Sequence, residues 1–168
     1  MERTREGPFS FRTFALMKIL MVCLGNICRS PMAEGVLREL ARKQGLDVRT
    51  DSAGTGGYHV GEAPDQRAQT AMLRQHIDIS DLRARQFEAA DFHRFDLLLA
   101  MDAHNLRDML RLAPDVELAG KARLIMDYAP GHPMREVPDP YYGDDEGFRK
   151  VYDMIHEACE NLINDVRG

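Results

Sequence analysis

An apolar stretch near the beginning of the chain is short and does not alternate with polar residues. Four apolar residues stand in a row at positions 19–22, between Lys18 and Cys23. An uninterrupted apolar run of this length is typical of a strand that is covered on both faces in a parallel sheet. The pattern therefore predicts a first β-strand that begins at Lys18 and ends at Cys23.

Helical periodicity begins a few residues later. Ser30 and Pro31 are a typical helix start, because a capping residue stands before a proline at the first helical position. The apolar residues that follow recur at helical spacing: Ala33, Val36, Leu37 and Leu40. Gly45 is expected to end this helix. The beginning of the chain thus predicts a strand, a tight loop and a helix.

Strand-like and helix-like patterns then alternate to the end of the chain. Short apolar runs predict further strands over 48–53, 96–101 and 122–126. Apolar residues at helical spacing predict helices over 65–76, after an N-cap at Asp102, and over 148–166. Glycine- and proline-rich segments predict long loops at 54–64 and 130–143. This alternation indicates an α/β fold with a parallel sheet and helices on both of its faces.

The composition is that of one globular domain with its own core. The chain has 168 residues, of which 44% are hydrophobic and 29% charged, and its net charge is -5. A negative chain is a poor non-specific binder of nucleic acid, since that role needs clustered positive charge. No run approaches the roughly 18 consecutive apolar residues of a membrane span. We therefore expect neither nucleic acid nor a membrane as a partner.

The cysteines and histidines indicate neither a disulfide framework nor a metal site. The three cysteines, Cys23, Cys28 and Cys159, are few and odd in number, which favours a reducing, cytoplasmic location. The 6 histidines form no H-x-x-x-H spacing, and the cysteines form no C-x-x-C spacing. We expect no metal and no cofactor.

The first 16 residues imitate a signal peptide, because arginines precede an apolar run that begins at Phe14. Lys18 interrupts that run, and no small-x-small cleavage site follows it. We therefore interpret residues 1–16 as an N-terminal extension without a catalytic role, and residues 17–168 as a single domain.

Candidate chemistry lies in the loop after the first strand. In parallel α/β sheets, ligands bind beyond the carboxyl ends of the strands, where Cys23 is expected. A loop that wraps onto a helix N-terminus presents unpaired backbone N–H groups to an anion, and Arg29 can hold two phosphate oxygens at once. The same positive field favours the thiolate of Cys23. A C-x5-R spacing also arises by chance around a buried cysteine, but its place between a buried strand and a helix start favours a phosphate-binding loop with a nucleophile.

The stretch Val22-Cys-Leu-Gly-Asn-Ile-Cys-Arg-Ser-Pro-Met-Ala-Glu34 resembles the signature of the low-molecular-weight protein tyrosine phosphatases. The resemblance continues in Asp51-Ser-Ala-Gly-Thr55, Ala84-Arg-Gln86, Met101-Asp102, Asn105-Leu106 and Asp139-Pro-Tyr-Tyr-Gly143, so it covers nearly all of residues 17–168. It implies a three-layer α/β fold, with a four-stranded parallel sheet, helices on both faces and the phosphate-binding loop after the first strand. It also implies hydrolysis of phosphotyrosine in proteins.

The resemblance assigns roles to individual residues. Cys23 corresponds to the nucleophile that forms a cysteinyl-phosphate, Arg29 to the phosphate clamp and Asp139 to the general acid. Asn26 and Ser30 correspond to residues that hold the loop in shape and stabilise the thiolate. The expected substrate-binding residues are Leu24, Gly25, Asn26, Ile27, Cys28 and Ser30 in the loop, with Tyr58, Tyr141 and Tyr142 as aromatic walls.

Three further expectations concern residues around this loop. The resemblance implies a reversible disulfide between Cys28 and the nucleophile, whereas Cys159 is expected to be a core residue. Tyr58 stands where many members of the family have tryptophan. Leu82 stands where many have a histidine that supports the loop from beneath, and Ser52 is the expected replacement for that support.

Two other functions share these features. A thioredoxin-linked arsenate reductase needs a downstream cysteine pair, and the chain has no cysteine between Arg29 and Ala158. A catalytically silent phosphate-binding module would lack the nucleophile or the acid, and both are present. If Asp139 is not the acid, Asp102 and His132 are the next candidates. We expect phosphotyrosine-containing proteins as partners and a monomer or weak homo-oligomer.

Overall fold

A four-stranded parallel sheet forms the centre of the molecule in a computed structural model that describes residues 16–168. Its strands are β1 (Met17–Cys23), β2 (Val48–Gly54), β3 (Leu97–Ala100) and β4 (Ala122–Leu124). They lie side by side in the order β2-β1-β3-β4, and each neighbouring pair is parallel. The predicted α/β fold with a four-stranded parallel sheet is confirmed. The predicted extension, except for Leu16, lies outside the described residues.

Six α-helices connect and cover these strands within the described residues: α1 (Arg29–Lys43), α2 (Gln66–Leu73), α3 (Asp91–Arg94), α4 (Ala103–Leu110), α5 (Val116–Ala119) and α6 (Asp145–Arg167). A short 3-10 helix, Ile125–Tyr128, follows β4. None of the helices described over residues 16–168 is long and apolar enough to cross a membrane.

The side chains of β1 alternate between two hydrophobic cores. Ile19 and Met21 belong to the core shared with α1, α2 and α6. Leu20 and Val22 belong to the opposite core, together with Phe92 of α3 and further apolar side chains of α4 and α5. Because both faces of the strand are buried, its sequence is apolar without interruption. The result is the predicted three-layer arrangement.

Several boundaries differ from the sequence prediction. Helix α1 begins at Arg29, so Ser30 lies in its first turn and Cys28 is at the N-cap position. Asp102 caps α4 as predicted, because its side chain accepts a hydrogen bond from the backbone N–H of Asn105. The predicted helix at 65–76 ends at Leu73, and β4 ends at Leu124, where the 3-10 helix begins. Helices α3 and α5 were not predicted, since four residues are too few to show helical periodicity.

The position of β1 within the sheet determines where a ligand can bind. The chain passes from β1 to β2 on one side and then crosses to β3 on the other side of β1. The carboxyl end of β1 is therefore the point where the direction of strand order reverses, and such points are the usual ligand sites of open α/β sheets. The loop at 24–28 lies directly after this end.

Candidate active site

Cys23 is enclosed by its own loop at the carboxyl end of β1. It is only 2% exposed. The backbone N–H of Asn26 donates a hydrogen bond to its sulfur, at 3.3 Å between nitrogen and Sγ. Asn26 has a φ of 58°, in the left-handed region that asparagine adopts more readily than most residues. This backbone conformation turns the loop back over the sulfur.

A second hydrogen bond to the sulfur comes from Ser30. Its Oγ lies 3.0 Å from Cys23 Sγ, and Asn26 Nδ2 lies 2.8 Å from the same Oγ. An amide nitrogen can only donate, so the Ser30 oxygen accepts from Asn26, and the Ser30 hydrogen is available to the sulfur when Cys23 is a thiolate. A hydroxyl that donates to sulfur stabilises the thiolate form.

The Asn26 side chain is also fixed from beneath the loop. Its Nδ2 donates to Ser52 Oγ at 2.9 Å, and its Oδ1 accepts from the backbone N–H of Arg85 at 2.9 Å. Ser52 therefore provides the support that we predicted from the sequence. Leu82, by contrast, packs against the hydrophobic core on the α1 and α6 side of the sheet.

Arg29 is buried beside the sulfur, with a side chain that is 3% exposed. Its Nη1 donates to Asp102 Oδ2 at 2.7 Å and to the carbonyl oxygen of Val137 at 3.1 Å. Burial by itself would lower the pKa of Arg29. Electrostatic interaction with Cys23, the hydrogen bond to Asp102, and the charges of Asp139 and Asp102 outweigh it and raise the pKa above its usual value. The guanidinium is thus a fixed positive charge.

Asp139 lies at the mouth of the site, and its side chain is 45% exposed. Its Oδ2 is 3.6 Å from Arg29 Nη2. Its Oδ1 accepts a hydrogen bond from the backbone N–H of Tyr141 at 3.0 Å. The turn thus orients the carboxylate towards the guanidinium while leaving it in contact with solvent.

These residues surround one cavity of about 380 Å³. Its lining contains these predicted site residues: Cys23, Leu24, Gly25, Ile27, Cys28, Arg29, Tyr58, Asp139, Tyr141 and Tyr142. Two other predicted substrate-binding residues, Asn26 and Ser30, are not part of the lining. They are buried and hydrogen-bonded to each other next to Cys23.

The outer part of the cavity is aromatic. Tyr58 is 75% and Tyr142 94% exposed, whereas Tyr141 packs edge-on against Tyr142 with 5.0 Å between the ring centres. The guanidinium of Arg67 lies 5.5 Å from the centre of the Tyr141 ring and 4.9 Å from that of Phe148. Arg67 therefore connects the segment that carries Asp139 to α6.

The sequence analysis missed three contributions to this site. His59 lines the cavity. Asp102 was identified as a helix cap and as an alternative acid, but not as the side chain that holds Arg29. Asp65 donates its backbone N–H to the carbonyl oxygen of Ile27 at 2.8 Å, which ties the start of α2 to the loop. Asp102 was recognisable in the sequence as a capping residue, but no local pattern reveals a contact with a residue that lies far away in the chain.

The other cysteines differ from Cys23 in their surroundings. Burial raises the pKa of the Cys28 thiol, and the negative charges of Asp65, Cys23 and Asp139 raise it further. Burial alone raises the pKa of Cys159, which is fully enclosed in the core as predicted. Both side chains are therefore neutral thiols at physiological pH.

The two alternative candidates for the general acid, His132 and Asp102, are placed differently from Asp139. The His132 ring accepts a hydrogen bond from the backbone N–H of Met134 at 3.0 Å, and this residue does not line the cavity. Asp102 is bound to Arg29 and to the N-terminus of α4. Over residues 16–168, no group of three or more histidine, cysteine or acidic side chains is placed to hold a metal ion.

Comparison with known proteins agrees with this geometry. Residues 18–168 match the model of the family described as low molecular weight phosphotyrosine protein phosphatase. The chain belongs to this family. It is therefore a protein tyrosine phosphatase, an enzyme of the hydrolase class.

Individual relatives resemble the chain over most of its length. The low molecular weight protein-tyrosine-phosphatase of Streptomyces coelicolor is 46% identical over 155 residues, which are 89% of this chain and 93% of the relative. The human low molecular weight phosphotyrosine protein phosphatase is 43% identical over 152 residues, 89% of this chain and 95% of its own. A crystal structure of the protein tyrosine phosphatase from Entamoeba histolytica, with Hepes in its active site, superposes with a TM-score of 0.84. The two sequences are 39% identical, and the matched region is 88% of this chain and 95% of the Entamoeba histolytica chain.

Proposed function

We propose that this phosphatase hydrolyses phosphotyrosine in proteins with Cys23 as nucleophile, Arg29 as phosphate clamp and Asp139 as general acid. The observation that carries the proposal is the environment of one sulfur atom. Cys23 Sγ accepts a hydrogen bond from the Asn26 backbone and lies 3.0 Å from the Ser30 hydroxyl oxygen, in a cavity that also contains the buried guanidinium of Arg29. Such surroundings stabilise a thiolate and attract a dianion to the same place.

In the first step the thiolate of Cys23 attacks phosphorus. The S–P bond forms as the P–O bond to the tyrosine ring breaks, and Asp139 gives its proton to the departing phenolic oxygen. Nη1 of Arg29 is engaged with Asp102 and Val137, so Nε and Nη2 are the groups left to bind two phosphate oxygens. The products are tyrosine and a cysteinyl-phosphate.

In the second step water replaces the sulfur. The Asp139 carboxylate takes a proton from the water as its oxygen attacks phosphorus, and the S–P bond breaks to return the Cys23 thiolate. The Ser30 hydroxyl donates to the sulfur and stabilises the negative charge that returns to it. Inorganic phosphate leaves, and Asp139 regains the proton that the next turnover needs.

The aromatic walls suit the phenyl ring of the substrate. Tyr58 and Tyr142 are exposed on the cavity, and Tyr141 is held by Arg67, so a flat ring can pack between aromatic faces. Phosphotyrosine-containing proteins are the expected partners. We further propose that residues 17–168 are a single phosphatase domain, that residues 1–16 have no catalytic role, and that the enzyme works in the cytoplasm as a monomer or weak homo-oligomer.

Hydrolysis of a phosphotyrosine peptide by the wild type and by Cys23→Ser tests the proposal. We expect turnover that vanadate blocks in the wild type and no turnover in the variant. Turnover in Cys23→Ser would contradict the nucleophile, whereas an inactive wild type would favour the silent phosphate-binding module. Thioredoxin-coupled reduction of arsenate by the wild type would favour the arsenate reductase.

A further inference from the structure

A buried carboxyl group that the proposed reaction does not use lies behind the phosphate-binding loop. Glu34, on α1, is 5% exposed. Ser52 of β2 donates its hydroxyl hydrogen to Glu34 Oε1, at 2.7 Å between the oxygens. Ser52 also accepts from Asn26, which makes Glu34 the end of a hydrogen-bonded chain that starts at the loop.

The Asn26 amide determines the direction of the hydrogen bonds that it makes with the two serine hydroxyls. Its Oδ1 accepts from the Arg85 backbone, so the orientation of the amide is fixed and its Nδ2 must donate. Nδ2 donates to two hydroxyls, those of Ser30 and Ser52. Ser52 donates its hydrogen onward to the carboxyl group of Glu34. Ser30 lies within hydrogen-bond distance of the Cys23 sulfur and donates to it when the sulfur is a thiolate.

The protonation state of Glu34 determines how well this chain is satisfied. A carboxylate is a strong acceptor for the Ser52 hydrogen, and hydrogen bonds to ions are about twice as strong as neutral ones. A protonated Glu34 is a weaker acceptor, and its own proton competes for the Ser52 oxygen that Asn26 occupies. The Asn26 amide would then lose part of its support. That amide belongs to the residue in the left-handed conformation that encloses Cys23.

We propose that Glu34 is a positioning residue whose carboxylate holds Asn26, and through it Cys23, in the reactive arrangement, so that protonation of Glu34 lowers the activity. The inference rests on the proposed role of Cys23 as nucleophile. The groups that would control the activity, Glu34, Ser52 and Asn26, are all buried behind the loop.

Burial, modified by nearby charges, raises the pKa of Glu34 towards physiological pH. Burial raises the pKa of the carboxyl group to about 7. The hydrogen bond from Ser52 and the positive charge of Arg38 lower the pKa of Glu34. The negative charges of Asp51, on β2, and of Asp81 raise it further. Leu82 brings no charge to this region. A change of about one pH unit around neutrality therefore changes the charge of Glu34 substantially.

The test compares the wild type with Glu34→Gln at each pH from 5.5 to 8. The glutamine has nearly the same shape but does not titrate, and the ratio of the two kcat/KM values cancels the ionisation of the substrate. We expect the kcat/KM of the wild type divided by that of Glu34→Gln to rise about tenfold with increasing pH, with a midpoint near 7. The rate of alkylation of Cys23 by iodoacetamide, located by mass spectrometry, should show the same change in ratio without any turnover.

Two further variants separate the chain from simpler effects. Glu39→Gln is the same substitution on α1 at a side chain that pairs with Arg42, and it should leave the pH dependence unchanged. In a Ser52→Ala background the hydrogen-bonded connection from Glu34 to Asn26 is lost. The kcat/KM of Ser52→Ala divided by that of the Ser52→Ala, Glu34→Gln double variant should then be independent of pH. A flat ratio in the Ser52-containing enzyme would overturn the inference. So would a ratio that still changes with pH in the Ser52→Ala background, since Glu34 would then act by its charge alone. Either result, together with an inactive Cys23→Ser, leaves the proposed reaction intact.

Discussion

Two aspartates lie beside Arg29, and they differ in exposure and in how closely they contact the guanidinium. Asp102 is bound to Nη1 of Arg29 at 2.7 Å and caps α4, so both of its oxygens are engaged. Asp139 is more exposed, and its nearest approach to the guanidinium is 3.6 Å. A carboxyl group that exchanges protons with a leaving group and with water needs this freedom. Asp102 holds the guanidinium of Arg29, and the greater exposure of Asp139 supports its proposed role as general acid.

The geometry of Arg29 leads to a first prediction at this scale. Arg29→Lys keeps the charge but loses the planar, two-point contact with phosphate, so we expect kcat/KM to fall by about 100-fold or more. Steady-state kinetics with a phosphotyrosine peptide measure the loss. Arg38→Lys, an exposed residue of the same helix, is the control and should remain near the wild-type rate. Nearly normal turnover in Arg29→Lys would exclude Arg29 as the clamp.

The role of Asp139 predicts a dependence on the leaving group. Asp139→Asn should slow phosphotyrosine and other poor leaving groups by about 10² to 10⁴, and activated aryl phosphates much less, because their phenolates depart without a proton. The loss should fall on kcat, since the phosphate contacts are unchanged. A series of aryl phosphates with wild type and variant is the measurement. Equal losses across the series would reduce Asp139 to a loop-positioning residue.

At the scale of elements, the strand, loop and helix around Cys23 were predictable because their signals are local. The apolar run of β1, the Ser-Pro helix start and the Asp102 cap all lie within a few residues of what they determine. The pairing of Arg29 with Asp102 spans 73 residues, and that of Ser52 with Glu34 spans 18. Periodicity contains no information about such contacts. His59 lines the cavity because the glycine-rich loop is hydrogen-bonded to the phosphate-binding loop, with the backbone N–H of Gly56 donating to the Leu24 carbonyl oxygen.

The close approach of β2 to the phosphate-binding loop predicts an effect at Gly54. A Cβ atom there would lie 2.7 Å from the carbonyl oxygen of Leu24 and 3.1 Å from Asn26 Cβ, so the loop would have to move. We expect Gly54→Ala to lower kcat and to cost about 1–3 kcal/mol of stability. Gly131→Ala is the control, because a Cβ at that position has open space around it. Kinetics and urea unfolding of both variants test the prediction, and equal behaviour of the two would contradict it.

At the scale of the whole molecule, the sheet assembles an anion-binding site in a protein of negative net charge. The net charge is -5, yet the cavity is formed around a buried guanidinium at the carboxyl end of the central strand β1. Its walls come from distant parts of the chain, the loop after β1, the segment around Tyr58 and the segment around Asp139. The parallel order of the strands brings these parts to one edge. Attraction of a phosphate dianion is therefore local and does not depend on the overall charge.

Global stability should depend on pH through Glu34. Its pKa in the folded protein, about 7, lies above the ordinary value of 4.5, so the folded state binds the proton more tightly. The resulting stabilisation is fully present at a pH below 4.5, the pKa of Glu34 in the unfolded chain, and is lost as the pH rises through about 7. We expect the free energy of unfolding of the wild type, relative to Glu34→Gln, to fall by the order of 3 kcal/mol between pH 4 and pH 8. Urea unfolding over this range measures the difference, and a constant difference would contradict the raised pKa.

The most direct measurement of the central claim is the identity of the phosphorylated residue during turnover. The enzyme is mixed with a phosphotyrosine peptide, quenched within milliseconds and digested, and the phosphate is located by mass spectrometry. We predict a phosphate on the sulfur of Cys23 in the wild type, increased in Asp139→Asn when an activated substrate is used, because hydrolysis then lacks its base. A phosphate on Cys28 or His59, or hydrolysis at full rate with no phosphorylated residue at any time, would contradict the account.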